Sequence, residues 1–121
     1  MIGIGCDIIE IARLAKAIEK EHFVERVYTE QEIAYCCSRG KQAAASFAAR
    51  FAAKEAVLKA FGTGLRGGKL TEIEVVLDEL GKPAVKLYGY HKDFAERLGV
   101  KEIHLSLSHS QGNAVAFVTM E

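Results

Sequence analysis

A charge excess of either sign is what this sequence most plainly lacks. Its 16 lysines and arginines are matched by 16 aspartates and glutamates, for a formal net charge of zero. Bulk electrostatics give no reason for nucleic-acid or membrane binding, so any charge-based recognition must come from local patches. No apolar run approaches the ~18 residues of a membrane span, and the N-terminus has no basic segment of the signal-peptide kind. The expectation is a cytoplasmic protein with neither nucleic acid nor membrane as a partner. Cysteine is sparse: three residues, two of them adjacent at Cys36 and Cys37, with no Cys-x-x-Cys. Neighbouring cysteines are too constrained for an easy mutual disulfide, and no zinc or redox spacing is present. All three are expected to be reduced, with Cys6 packed in the core. Repeats, low-complexity tracts and linkers are also missing.

What is present reads as one ordinary globular domain, residues 1–121, half hydrophobic and about a quarter charged. Such a chain can bury about two-thirds of its unfolded surface. Its most informative stretch is Phe47 to Gly64. Helical spacing places Phe47, Phe51, Leu58 and Phe61 within an arc of roughly 80°. Ala48, Ala52, Ala56 and Ala60 form a second stripe, small enough for another backbone or a ligand to approach closely. Charges intrude on both: Glu55 at their border, Lys59 among the alanines, Lys54 in the aromatic arc. Glu55 and Lys59 fit either a surface i,i+4 pair, worth about 0.2–0.5 kcal/mol, or a site.

The other segments read as follows. Residues 2–9 form a strand with Ile2, Ile4, Cys6 and Ile8 on one face and Gly3, Gly5 and Asp7 on the other. The glycines leave room beside Asp7, as a ligand-facing surface would; a capping Asp is the plainer alternative. Residues 10–20 form a helix with Ile11, Leu14 and Ile18 inward and a basic stripe of Arg13, Lys16 and Lys20 outward. Residues 21–28 read as irregular. Thr29 to Glu32 has the form of a capping box, opening a helix to about Ser38. The central helix runs from about Gln42 to Phe61, with Gly62 as its C-cap. The Gly-rich loop with Arg66 and Lys69 lacks the P-loop pattern. Residues 72–78 and 84–88 form a hairpin, with Ile73, Val75 and Leu77 set against Glu72, Glu74 and Asp78. A short helix spans 90–98, and a last pair of strands spans 103–108 and 113–120. Helices lying between runs of antiparallel strands indicate an α+β fold rather than a doubly wound parallel sheet.

Three motifs carry a family resemblance. They are Gly5-Cys-Asp-Ile8 with Arg13 six residues after the Asp, Phe51-Ala-Ala-Lys-Glu-Ala-Val-Leu-Lys-Ala-Phe-Gly-Thr-Gly64, and Leu105-Ser-Leu-Ser-His-Ser110. In that order, over essentially the whole chain, they resemble holo-[acyl-carrier-protein] synthase, the short, single-module type of 4′-phosphopantetheinyl transferase. The resemblance implies a small antiparallel sheet packed on a long central helix. It also implies transfer of 4′-phosphopantetheine from coenzyme A to a serine of apo-acyl carrier protein, releasing adenosine 3′,5′-bisphosphate. Asp7 and Glu55 would hold Mg²⁺, and Lys59 would reach the phosphate oxygens. The serine proton would pass to Glu55 or to a metal-bound water. His109 and Arg50 would serve the nucleotide end, and Arg13 the acidic carrier. Lys54 belongs to the motif either as a site residue or as a buried structural ion pair. Arg66 and Lys69 are further basic candidates. The family assembles as a homotrimer with sites at subunit interfaces, to which the strands at 103–108 and 113–120 would contribute. Two other readings use the same residues: a Mg²⁺-dependent nucleotide phosphohydrolase, and a non-catalytic module that binds coenzyme A or an acidic protein.

Overall fold

The structure is a computed structural model that describes residues 1–64 and 67–121. The long helix, α4 (Ala43–Phe61), is hydrophobic nearly all round, and thirteen of its nineteen residues are buried. A helix of that composition belongs in the middle of a fold. It ends at Gly62, whose left-handed backbone lets its N–H close on the carbonyls of Leu58 and Lys59. α4 lies on a three-stranded antiparallel sheet of order β1-β5-β4, made of β1 (Gly3–Glu10), β5 (Asn113–Met120) and β4 (Ile103–His109). A separate hairpin joins β2 (Ile73–Leu77) to β3 (Pro83–Leu87).

The seam between α4 and β1 is nearly backbone on backbone. A Cβ added at Gly3 would stand 2.1 Å from the carbonyl oxygen of Ala60, and one at Gly5 would stand 2.0 Å from that of Ala56. The glycines of β1 and the alanine stripe of α4 are therefore two halves of one contact. This corrects the expectation of a ligand-facing glycine surface: the space beside Gly3 and Gly5 admits the helix. The opposite face of β1 is consequently turned outward, with Ile4 54% and Ile8 65% exposed. Cys6 shares that outer face and is exposed, not packed in the core.

Among the described residues four α-helices, rather than the expected three, separate β1 from β2. α1 (Ile11–Ala17) has the faces its periodicity requires, with Leu14 buried and Arg13, Lys16 and Lys20 exposed. α2 (Glu21–Val27) occupies the stretch read as irregular. Seven residues are too few for an isolated helix in water, so local pattern alone gives little signal. Tertiary packing stabilises it: Phe23 and Val27 pack with Tyr28, Phe47 and Phe51 in a second apolar cluster. α3 (Glu30–Cys37) opens with the expected capping box, in which Thr29 Oγ1 accepts from the Glu32 N–H at 3.2 Å and Glu32 Oε1 accepts from the Thr29 N–H at 2.9 Å. α5 (Gly89–Leu98) packs beside α4, with the buried His91 ring parallel to that of Phe61.

The hairpin departs from simple alternation. Glu74 is buried and Leu77 is exposed. Glu74 is tolerated inside because the hydroxyls of Thr29 and Tyr88 donate to its two oxygens at 2.5 and 2.8 Å. A buried carboxylate needs such partners, and they arrive from segments remote in sequence.

Candidate active site

The close β1–α4 seam brings Asp7 against the charged side of the long helix. Lys59 Nζ donates to Asp7 Oδ1 and to the Cys6 carbonyl, both at 3.0 Å. The i,i+4 surface pair of Glu55 and Lys59 is thus replaced by a contact that spans the two elements. Glu55 stands one turn earlier on α4 and is half-buried. Burial pushes its carboxyl above the usual range, the nearby Asp7 adds to this, and Lys59 opposes it. The hydrogen bond from Lys59 to Asp7 in turn raises the ammonium above its ordinary value. The Lys59 side chain is 57% exposed. An ion pair so open contributes about 0.2–1 kcal/mol at most, too little to explain the arrangement by stability.

Two carboxylates close enough to perturb each other are oxygen donors that could hold a hard cation, with the Lys59 ammonium beside them as a counter-charge for an anionic ligand. Mg²⁺ takes one or two protein carboxylates and completes its shell with water and phosphate oxygens. Among the described residues no group of three or more His, Cys, Asp or Glu side chains converges.

The remaining sequence-predicted residues lie elsewhere. His109 is exposed at the end of β4 and lines a cleft of about 420 Å³ with Lys41, Gln42 and Ser110. Arg50 is buried on α4, its guanidinium 4.4 Å from the centre of the Tyr35 ring. Its Nε has no hydrogen-bond partner among the described residues. Arg13 lines a shallow basic depression on α1 with Lys16 and Lys20. Arg66 lies outside the described residues. Lys54 is a buried structural ion pair: its Nζ meets Glu32 Oε1 at 2.8 Å, and both side chains have no exposed surface.

A groove of about 580 Å³ was not read from the sequence. Phe23 and Val27 form one wall, Leu70 the other, and Phe51 the floor, with Arg26 and Lys69 among the charged residues around it. Phe51 stands one turn before Glu55 on α4. The apolar pair at Phe23 and Val27 was its visible signal, lost when 21–28 was read as irregular.

Comparison with known proteins defines the class first. The model of the 4′-phosphopantetheinyl transferase superfamily matches residues 3–118, and the chain belongs to that superfamily. A holo-[acyl-carrier-protein] synthase of Ruminiclostridium cellulolyticum is 49% identical over 97% of this chain and 90% of its own. The crystal structure of holo-[acyl-carrier-protein] synthase from Neisseria meningitidis superimposes with a TM-score of 0.89 at 36% identity, covering 100% of this chain and 99% of that one. A holo-(acyl-carrier-protein) synthase from Bacillus anthracis in complex with CoA (3′,5′-ADP) gives a TM-score of 0.80 at 38% identity, covering 98% and 95%. Within the superfamily the chain is an enzyme of the holo-[acyl-carrier-protein] synthase kind.

Proposed function

We propose that this protein transfers 4′-phosphopantetheine from coenzyme A to a serine hydroxyl of an apo-acyl carrier protein, in a Mg²⁺-dependent reaction that releases adenosine 3′,5′-bisphosphate. The observation that carries the reading is the meeting of Asp7, Glu55 and Lys59 at the β1–α4 seam. The reaction breaks a pyrophosphate, so its difficulty is charge gathering on the transferring group and leaving oxygen. Mg²⁺ held by Asp7 and Glu55 would neutralise part of that charge. Lys59, held to Asp7 and the Cys6 carbonyl but otherwise exposed, can turn its ammonium to a phosphate oxygen and stabilise the departing nucleotide. His109, in its open cleft, is the proposed contact of the nucleotide end, with Arg50 as a further candidate. The proposed setting is the cytoplasm, in the fatty-acid pathway that uses the carrier.

The test is to incubate the protein with coenzyme A, Mg²⁺ and an apo-carrier and weigh the carrier. The expected result is a gain of the phosphopantetheine mass. Hydrolysis of coenzyme A without modification of the carrier, or binding without turnover, would overturn the reading.

Arg13, Lys16 and Lys20 form the proposed landing strip for the acidic carrier. Arg13→Glu is expected to raise KM for the carrier and weaken the salt dependence of its association, with coenzyme A binding unchanged, because rim charges act mainly on encounter. The opposite pattern would remove Arg13 from the docking surface.

The active unit is proposed to be a homotrimer with sites between subunits. Support comes from the outer face of the sheet, where Ile2, Ile4, Ile8 and Phe117 are 42%, 54%, 65% and 45% exposed. A contiguous apolar face of that kind marks an interface. It lies on β1 and β5, while β4 turns His104, Ser106 and Ser108 outward. Mixing a Glu55→Ala chain with a His109→Ala chain is expected to restore part of the activity. No recovery after verified subunit exchange would count against the shared site.

A further inference from the structure

The groove at Phe51 is lined from three parts of the chain, and each lies on or next to a segment tied to one buried ion pair. Lys54 is three residues from Phe51 on the helix that forms the floor. Its ammonium donates to the carbonyl of Leu70, in one wall, at 3.0 Å, and also to that of Ile73. Its carboxylate partner, Glu32, accepts from the backbone N–H of Thr29 at 2.9 Å and of Val75 at 2.8 Å. Thr29 lies two residues past Val27, the end of the opposite wall. Neither charged group touches solvent, so neither acts on a substrate directly. A buried pair of this sort is weak evidence for stability, since apolar residues of similar volume often replace it without loss. The pair does tie the two chain segments that flank the groove to the helix beneath it.

We infer that Lys54 is a positioning residue: through Glu32 and the Leu70 carbonyl it sets the width of the groove and thereby the fit of the carrier protein. This rests on the proposed transfer to a carrier. The groove suits the edge of an amphipathic, mainly acidic helix, having Phe23, Val27, Phe51 and Leu70 for apolar side chains, Arg26 and Lys69 for acidic ones and Glu25 for a basic one.

The experiment compares the wild type, Lys54→Met and the double variant Lys54→Met with Glu32→Leu. Melting temperature and both KM values are measured with coenzyme A, Mg²⁺ and an apo-carrier. The wild type must transfer the group; if it does not, the functional reading fails and not this inference. Lys54→Met alone leaves Glu32 buried without its cation and is expected to melt lower. The double variant is expected to recover most of the melting temperature while KM for the carrier stays raised about tenfold, with kcat and KM for coenzyme A within about twofold, as loss of uniform binding requires. If carrier KM returned with the melting temperature, the pair would be structural only and the inference overturned. It would be overturned equally by a rise confined to coenzyme A, or if neither variant folded.

Discussion

Glu55→Gln is expected to lower phosphopantetheine transfer by about 10²–10³-fold or more, the usual cost of removing a charge that stabilises a transition state. Asp7→Asn is expected to do the same. Both should leave the fold nearly unchanged. Asp7 makes a half-open ion pair with Lys59, whose loss costs about 1 kcal/mol at most. Glu55 is raised by burial and by Asp7, so removing its charge relieves repulsion. The two effects separate cleanly in a thermal melt run beside an activity assay over a Mg²⁺ titration. Near-normal activity of either variant at limiting Mg²⁺ would remove that residue from the metal site. The raised Glu55 also sets a sign for pH. A carboxyl must be ionised to hold a cation, so activity is present above its pKa and lost below it. Because that pKa is raised in the metal-free protein, the loss on acidification at limiting Mg²⁺ is expected at a higher pH than an ordinary glutamate would give, and saturating Mg²⁺ should move it down. Glu55→Gln should abolish the dependence in whatever activity remains.

Gly5→Ala is expected to be the most damaging single methyl in the chain. Its Cβ would stand 2.0 Å from the carbonyl oxygen of Ala56 and 2.9 Å from both the carbonyl carbon of Ala56 and the N of Ala60. All of these are backbone atoms of a buried helix, so no side chain can rotate away. Either the strand or α4 must move. Overpacking of a well-filled core costs about 1–3 kcal/mol, and a backbone obstacle belongs at the top of that range. For a domain of this size that corresponds to a fall in melting temperature of about 10 °C. Transfer should fall further than stability does, because Asp7 lies two residues along the same strand and depends on the same seam. Gly112→Ala, where an added Cβ meets nothing within 4 Å, is the control and should melt like the wild type. If Gly5→Ala melted with it, the strand and helix would not be in the contact described.

Much of this architecture was legible residue by residue. The capping box at Thr29, the Gly62 stop, the 3.6-residue stripes of α4 and the alternation of β4 are local patterns, and backbone geometry reads them locally. Glu55 and Lys59 stood out because charges beside a small-residue stripe conflict with ordinary burial, while Asp7 read equally as a cap, and only the resemblance joined the three as a candidate site. Their meeting was not legible, since 52 residues separate Asp7 from Lys59. The glycine face of β1 was readable only as space. Whether a ligand or a helix fills such space depends on what packs there, and the answer turned Cys6 and the isoleucines outward. α2 escaped for the related reason that seven residues carry too little helix signal until Phe47 and Phe51 lie beneath them. Lys54 shows the division most sharply. Its position in an aromatic arc was plain in the sequence, but whether it was a site residue or a buried pair depended on Glu32, 22 residues away. Local sequence thus determined most of the elements and offered the candidate site residues. Tertiary structure alone decided which face of each element was buried and which charges found one another, because burial and ion pairing are properties of contacts between segments that the chain does not keep adjacent.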